Sequence, residues 1–570
     1  MLKHYRLFFL LVALGLGGCA TYGQGVTSAV QDLQKGDYAA SEAGFKKALK
    51  PDGDDRLLYN LELAVVKHLE GDFNASNDYL ETAQKIAEDL ETVYMNDTVK
   101  AMMSNPRQSP YPGADFERVF INYYKALNYF GLAQQATSTD ARETALENAN
   151  IEARRLIIRL NDLNARQGNY KAENEEEGTF TKLMKIFSLL NGNLIDMDAI
   201  KYRDDAMAHY LAGLSFEMSG EFDDARISYQ KAAESYDRGY TKQYRLDKDM
   251  GAQAWFDVVR MMRKTRDFDG EWQNLAKKKL SKEQQAELNK WDDKKAQLVV
   301  LEHKGIAPQR KEMNLILSVD PAKRALALTP VGFTSDSYAL AWFYLLYADK
   351  GILDAVANYL DATEVGYMLS SFTKTVGMGP AFDTAQQIGL LDAIGSGLRV
   401  TVPYYEPVKA LGESDLSVDG HNYKMLKSSN PALMGIQEQM TRAGMDINMA
   451  LARAAVKALA ADQLKHAGGN AGLLLSFAGK LTMQAIDAAE TRNWLLLPQD
   501  IRVRRVLVEP GEHQLKLSSQ MPSGTHYNTK NVTLNAGDIH LWRVRVLPPV
   551  QDPKAKKSAT GELLQTTATN

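Results

Sequence analysis

A pattern of small and apolar residues with helical spacing recurs three times along the chain. Counted from Gly213, the offsets 7, 9, 12, 16 and 19 all carry small or apolar residues, and the same offsets give a matching set from Ala64 and from Ala29. Small residues at fixed offsets allow two helices to pack closely, and the glycine at offset 7 suits the turn between them. The three sets are Ala29, Gly36, Tyr38, Ser41, Phe45 and Ala48; Ala64, Gly71, Phe73, Ser76, Leu80 and Ala83; and Gly213, Gly220, Phe222, Ala225, Tyr229 and Ala232.

This pattern predicts helical hairpins of the tetratricopeptide (TPR) type. The first two sets begin 35 positions apart, close to the ~34 residues of one TPR repeat. Aromatic residues at three- and four-residue spacing between Phe116 and Phe130, followed by small and apolar residues between Ala145 and Leu156, predict a further, degenerate hairpin. We therefore predict a TPR-like α-solenoid over residues 27–240, with an ordinary helical bundle as the alternative.

A solenoid of stacked hairpins indicates a binding protein, because the first helices of its repeats line an extended concave face. Polar residues on these helices that the apolar stripe does not use are the candidates for contact with a partner. In the second and third sets they include Asn60, Lys67 and His209. We predict that a protein partner binds across this face.

Residues 241–490 show a mixed pattern that predicts both helices and strands. Lysine and glutamate alternate over 278–295, which predicts an exposed helix. Short apolar runs at 298–301 and 314–319 predict strands, and a glycine and a proline lie between them. We predict a mixed α/β region here.

Four further stretches of the middle region have recognisable signals. The aromatic stretch 338–348 is too short to cross a bilayer and predicts a buried helix. A proline within 399–405 predicts an edge strand, and the Asp-Gly pair at 419–420 predicts a tight hairpin turn. Alanine-rich stretches at 450–461 and 471–489 predict a closely packed helix pair.

Alternating apolar and polar residues dominate the C-terminal part of the chain. Between 501 and 546 they form several runs separated by turn residues, which predicts a small antiparallel β-sandwich over 491–547. Residues 548–570 are polar and poor in large apolar side chains, so we predict a disordered tail. The predicted fold is multidomain and mainly α, with a TPR-like solenoid, a mixed α/β region and a small β-sandwich.

The N-terminus carries an export signal. Lys3 and Arg6 precede an apolar run that ends in Leu-Gly-Gly-Cys at Cys19, the single cysteine of the chain. The run resembles the lipobox of bacterial lipoproteins, in which the cysteine is acylated after cleavage. This implies a signal peptide over 1–18, a lipid-anchored tether over 19–26 and, because Ala20 follows the cysteine, the outer membrane. A plain signal peptide is the alternative.

Charge and motifs limit the possible chemistry. The formal net charge of −4 argues against a nucleic-acid partner. The sequence contains neither a glycine-rich phosphate loop nor a paired-histidine zinc helix, so we predict no catalytic residues, no metal and no cofactor. Glu302 and His303 are the best acid/base pair that the sequence offers.

Two further motifs resemble those of an uncharacterised family of bacterial TPR-bearing outer-membrane lipoproteins. The first is Gly305, Ala307 and Pro308 followed by Arg310 and Lys311, and the second is the Thr-Arg-Asn-Trp-Leu-Leu-Leu-Pro stretch at 491–498. The family's genes often lie beside lipoproteins that resemble activators of peptidoglycan synthases. The resemblance implies a cell-envelope role but no specific chemistry.

These observations favour a lipid-anchored periplasmic scaffold that binds a protein partner and does not act as an enzyme. Two alternatives remain at this stage. One is an envelope enzyme or sugar-binding protein with its site in 296–490. The other is a component of a secretion or surface-appendage assembly.

We predict that Cys19→Ser abolishes acylation and releases the protein from the membrane or leaves it unprocessed. Each acyl methylene buried in the bilayer contributes ~0.8 kcal/mol to anchoring, and the serine variant lacks the thiol that receives the chains. Metabolic labelling with palmitate measures this directly. Label retained by the variant would contradict the lipoprotein assignment.

Overall fold

The computed structural model describes residues 21–96, 106–165, 179–331 except 203, 266, 267 and 269, 337–347, 373–465 except 396 and 407, and 488–550. Several predictions lie outside these residues. They concern the signal peptide, Cys19, nearly all of the second alanine-rich helix at 471–489 and most of the tail.

Helices form the larger part of the described chain. They are α1 (Tyr22–Gly25), α2 (Thr27–Gln34), α3 (Tyr38–Ala48), α4 (Arg56–Glu70), α5 (Phe73–Asn96), α6 (Asp115–Gln135), α7 (Thr139–Ala165), α8 (Thr179–Phe187), α9 (Ala206–Met218), α10 (Phe222–Ser235), α11 (Thr241–Gln243), α12 (Asp249–Thr265), α13 (Glu271–Lys279), α14 (Lys282–Lys290), α15 (Ser337–Tyr347), α16 (Ala381–Gln387), α17 (Leu390–Ile394) and α18 (Pro431–Lys465).

Twelve strands in the described residues form three four-stranded sheets. They are β1 (Ala296–Lys304), β2 (Arg310–Asp320), β3 (Ala325–Val331), β4 (Lys374–Gly377), β5 (Leu398–Tyr405), β6 (Ser414–Val418), β7 (His421–Lys424), β8 (Leu426–Ser429), β9 (Asp500–Val508), β10 (Gly511–Met521), β11 (Gly524–Leu534) and β12 (Ile539–Val546). Sheet A has the order β12-β1-β9-β8, sheet B the order β4-β3-β2-β5 and sheet C the order β11-β10-β6-β7. Strands β1 and β12 are parallel.

The predicted hairpins are present, and their turns have the geometry that glycine permits. Gly36, Gly71 and Gly220 have φ angles of 81°, 90° and 82°, which are left-handed values that other residues adopt at a cost. A Cβ atom on Gly213 would lie 2.7 Å from the Tyr229 ring, so the glycine permits the close contact of α9 with α10. Helices α6 and α7 form the degenerate hairpin.

The helical layer extends beyond the predicted boundary at 240. Helix α12 packs on α10, and Arg260 on α12 forms an ion pair with Glu217 on α9. The boundary differs from the prediction because the apolar face of α12 packs against α10 and joins the same core as the preceding hairpins. The helical layer thus runs from Thr27 to at least Thr265.

The C-terminal strands also differ from the predicted self-contained sandwich over 491–547. Strand β1 lies between β9 and β12 and pairs with both, and β10 pairs with β6 from the middle region. Sheets A and C enclose one apolar core. Side chains from both sheets form it: Leu298, Val300, Leu416, Leu515, Leu517 and Val544. A sandwich is therefore present, but the middle region supplies four of its eight strands.

Sheet B forms a second core with α8, α15 and α18. Strand β5 lies at its edge and contains Pro403, as predicted. Helix α15 is largely buried against this core, which confirms the predicted buried helix. The predicted Asp-Gly hairpin is also confirmed, since Asp419 and Gly420 join β6 to β7 with φ angles of 50° and 86°.

Residues 21–26 pack against the body of the protein, whereas the sequence predicts a tether there. Val26 is buried, and the Tyr22 hydroxyl donates a hydrogen bond of 2.8 Å to Glu62. A Cβ on Gly23 would lie 2.6 Å from the Gln309 side chain, so the backbone here is in close contact with the middle region. Among the described helices, none has the length and apolarity that a bilayer crossing needs.

We predict that Gly220→Val lowers the free energy of unfolding by about 1–3 kcal/mol, because valine is strained at a positive φ. An added Cβ meets no atom within 4 Å, so the cost comes from the backbone rather than from a clash. Gly25→Ala is the matched control, since Gly25 has open space and no left-handed φ. Denaturant unfolding measures both. If Gly220→Val and Gly25→Ala were equally stable, the assignment of Gly220 to a hairpin turn would be wrong.

Candidate functional site

The candidate site is the inner face of the solenoid, defined here as the side of α4, α6 and α9 that faces sheet A. These are first helices of their hairpins, so their side chains were expected to line an open binding surface. Instead, buried carboxylates on this face bind the chain's own C-terminal part. The three carboxylates are Glu62, Glu117 and Glu217, each at most 3% exposed.

Glu62 on α4 binds backbone amides of the Leu-rich segment 491–498. Its Oε1 accepts hydrogen bonds of 2.8 Å from the Tyr22 hydroxyl and from the Leu495 amide, and its Oε2 accepts one of 3.1 Å from the Leu496 amide. Burial raises the pKa of this carboxyl to about 8, although the three hydrogen bonds act in the opposite direction.

Glu117 on α6 holds the adjacent residue of the same segment. Its Oε1 accepts from the Trp494 amide at 2.8 Å, and its Oε2 accepts from the Ala114 amide and from the Tyr111 hydroxyl at 2.9 and 2.7 Å. The Trp494 side chain is fully buried. Segment 491–498 therefore occupies the inner face, and its backbone turns at residues 495–497, so the Trp494, Leu495 and Leu496 amides all donate to this face.

Glu217 on α9 binds sheet A through an arginine. Its Oε2 lies 2.7 Å from Nη1 of Arg505 on β9, and the second guanidinium nitrogen of Arg505 donates to the Tyr229 hydroxyl at 2.8 Å. Arg260 contacts both carboxylate oxygens at 2.5 and 2.6 Å. Burial acts to raise the pKa of Glu217, but the guanidiniums of Arg260 and Arg505 hold it well below its ordinary value.

The best acid/base pair of the sequence is not a pair in the structure. Adjacent residues of β1 point to opposite faces of sheet A. Glu302 therefore lies between sheets A and C, where it accepts hydrogen bonds from Ser414 and Ser519. His303 faces the helices, where its Nε2 is 2.8 Å from the Tyr123 hydroxyl. Burial raises the pKa of Glu302 and lowers the pKa of His303. The two side chains cannot act on one substrate together.

The two family-like motifs, which are about 180 residues apart in the sequence, contact each other directly. The Ala307 amide donates to the Leu497 carbonyl at 2.8 Å, and Asn493 Nδ2 donates to the Pro308 carbonyl at 3.1 Å. Arg310 Nη1 donates to the Arg492 carbonyl at 3.0 Å. The motifs therefore form one connection between sheets A and B beneath the inner face.

The three predicted partner-binding residues are not an open surface, which corrects the prediction. Asn60 is 5% exposed and donates to the Arg56 carbonyl, and His209 is 1% exposed beside Asp204. Lys67 is partly exposed but forms ion pairs with Glu42 and Glu70. The reason is that α4 and α9 are enclosed by other elements on nearly all sides, so their polar residues make internal contacts.

Sequence reasoning missed the internal contacts of Glu62, Glu117 and Glu217. A carboxylate within a strongly apolar helix such as α9 was the available signal, because such a group requires a buried partner. Arg505 gave the same signal, because a charged side chain within the apolar strand β9 also requires a buried partner. In the part of the chain that the structure describes, no cluster of three or more histidine, cysteine, aspartate or glutamate residues is suited to a metal ion.

Comparisons with known proteins add little to this geometry. No family model matches the chain, and no curated protein matches it either. A solved structure of a thermophilic TPR protein from Thermus thermophilus is similar at 15% identity over 47% of this chain and 97% of that chain, with a TM-score of 0.21. At this score the likeness carries no argument. The assignment of TPR-like repeats rests on the hairpins described above.

We predict that Glu62 makes the stability depend on pH. Its carboxyl ionises near 4.5 when exposed but keeps its proton to about pH 8 in the folded chain. Its contribution to the free energy of unfolding is therefore complete below pH 4.5 and is lost as the pH rises toward 8, at up to ~1.4 kcal/mol per pH unit.

Chemical denaturation of the wild type and of Glu62→Gln from about pH 5 to 8 measures this effect. The wild type should lose stability relative to the glutamine variant by a few kcal/mol over this range. Glu70→Gln, on the exposed side of the same helix, is the control and should follow the wild-type profile. Parallel curves for the wild type and Glu62→Gln would disprove the prediction.

Proposed function

We propose that this chain is a lipid-anchored periplasmic scaffold of the outer membrane, and that it binds an envelope protein through the outer face of its helical layer. TPR-like helical repeats are typical of protein-interaction scaffolds. The observation that carries the proposal is that the inner face is filled by the chain's own segment 491–498. An external partner must then bind elsewhere.

The outer face is defined by the outward sides of α7 and α10, the second helices of two hairpins. Ile151 and Ile158 on α7 are 46% and 59% exposed and lie two helical turns apart on one side. Ile227 on α10 is 41% exposed. Arg154, between the two α7 isoleucines, lies within ion-pair distance of Glu221 and of Asp224 near the start of α10. Exposed apolar residues beside charged ones are typical of protein interaction surfaces.

The anchoring part of the proposal rests on the sequence around Cys19, and the envelope role, including a link to peptidoglycan synthesis, rests on the family resemblance. We propose a role without catalysis. Supporting this, Glu302 and His303 lie on opposite faces of β1 and each is engaged by other residues. Interlocked strands also favour a rigid scaffold, since sheets A and C both draw strands from distant parts of the chain.

We predict that a photo-crosslinking amino acid at position 158 of the full, anchored chain forms a discrete adduct with an envelope protein. Introducing Ile151→Glu and Ile227→Glu into this crosslinking variant should reduce the adduct at least about fivefold, because charge replaces apolar contact area at the interface. The fold should be unaffected because both side chains are exposed.

A crosslinker at position 527 serves as the matched control. Tyr527 is 61% exposed on β11 of sheet C and belongs to neither α7 nor α10, so the two glutamate substitutions should not change its adducts. If the adduct at 158 survives both substitutions, or if position 527 yields the same adduct, binding through the outer face is wrong.

A further inference from the structure

A pocket of about 490 Å³ opens between the second TPR-like hairpin and the degenerate one. It lies where α6 ends and α7 begins, and the start of α5 closes one side. Its volume is within the ~300–1,000 Å³ of small-molecule sites. It is an open groove rather than an enclosed cavity, because half of its lining residues, among them Gln135, Thr137 and Thr144, are exposed. Neither the inner face nor the outer-face isoleucines contribute to it.

The lining is entirely uncharged, which is unusual in a chain with 24% charged residues. Leu132 and Ala145 supply apolar surface, and the Tyr129 ring lies beside them. Burial raises the pKa of Tyr129, and the nearby carboxylates of Glu152 and Glu81 act in the same direction. The phenol therefore remains a neutral hydrogen-bond donor.

The polar side chains of the lining are available to a ligand. Asn74, Thr137, Thr144 and Asn148 form no side-chain hydrogen bond to any residue in the described ranges, and Gln135 uses only its amide nitrogen, on the Gly71 carbonyl at 3.3 Å. Each amide group offers two donor hydrogens and two acceptor lone pairs. The site thus combines an aromatic ring, an apolar surface and neutral groups that both donate and accept.

We propose that this pocket binds a neutral saccharide. A sugar ring has apolar C–H faces that pack on tyrosine and aliphatic groups, and hydroxyls that pair with amides and with threonine hydroxyls. A phosphate, a carboxylate or a metal ion would find no opposite charge in this lining. A fatty acyl chain would cover these amides and hydroxyls without pairing them, at a cost for each group that it removes from water.

Isothermal titration of the full chain with triacetylchitotriose and with maltotriose, two uncharged trisaccharides, tests the proposal. At least one should bind. Asn148→Ala should weaken this binding about tenfold, because it removes an amide from the lining, and Thr144→Trp should abolish it by filling the pocket. Asn289→Ala is the matched control, since Asn289 is exposed on α14, outside the pocket.

Each outcome of these titrations either supports or overturns the saccharide proposal. Loss of binding in both pocket variants with unchanged binding by Asn289→Ala supports the saccharide site. Binding of neither trisaccharide overturns it, as does binding that both pocket variants retain. If the tripeptide Gly-Trp-Gly binds and the sugars do not, the pocket accepts a protein side chain and the proposal is wrong. Thermal melting identifies a misfolded Thr144→Trp, in which case Asn148→Ala alone decides.

Discussion

Buried carboxylates on the first helices of the solenoid connect the two halves of this protein. Glu62 and Glu117 together accept the amides of three consecutive residues, and Glu217 binds Arg505 from sheet A. A buried carboxylate without partners is very costly, so each helix requires the C-terminal segment to satisfy it. The helical layer and the sheets are therefore interdependent, although the chain reads as a series of separate domains.

Because of this arrangement, the TPR-like repeats of this chain bind an internal segment on their inner face. The face that solenoid proteins use for binding receives residues 491–498 of the same molecule, with Trp494 fully buried. The family-like motifs at 305–311 and 491–498 then have a structural explanation, because they contact each other and join sheets A and B. Their pattern marks the internal connection, so it does not identify an external ligand.

Local features were predictable from the sequence, and distant pairings were not. The hairpin glycines and the Asp-Gly turn have conformational requirements that a short stretch reveals. By contrast, β1 pairs with β9 and β12, about 200 and 240 residues away, and nothing within any of these strands specifies its neighbours. The continuous burial of β1 reflects helices on one side and sheet C on the other. For the site, His209 was predicted to contact a protein partner, because the sequence does not show whether another protein or the chain's own residues satisfy a polar side chain.

The close packing of residues 21–26 has a geometric consequence for an anchored molecule. Tyr22 is fixed to Glu62 and follows Cys19 by only three positions in the sequence. A fully extended chain of that length spans at most ~11 Å. If Cys19 is acylated as proposed, the α4 end of the body lies directly against the lipid headgroups and has little freedom to tilt. The molecule would then present one constant side to the periplasm, with its orientation determined by the packing of residues 21–26.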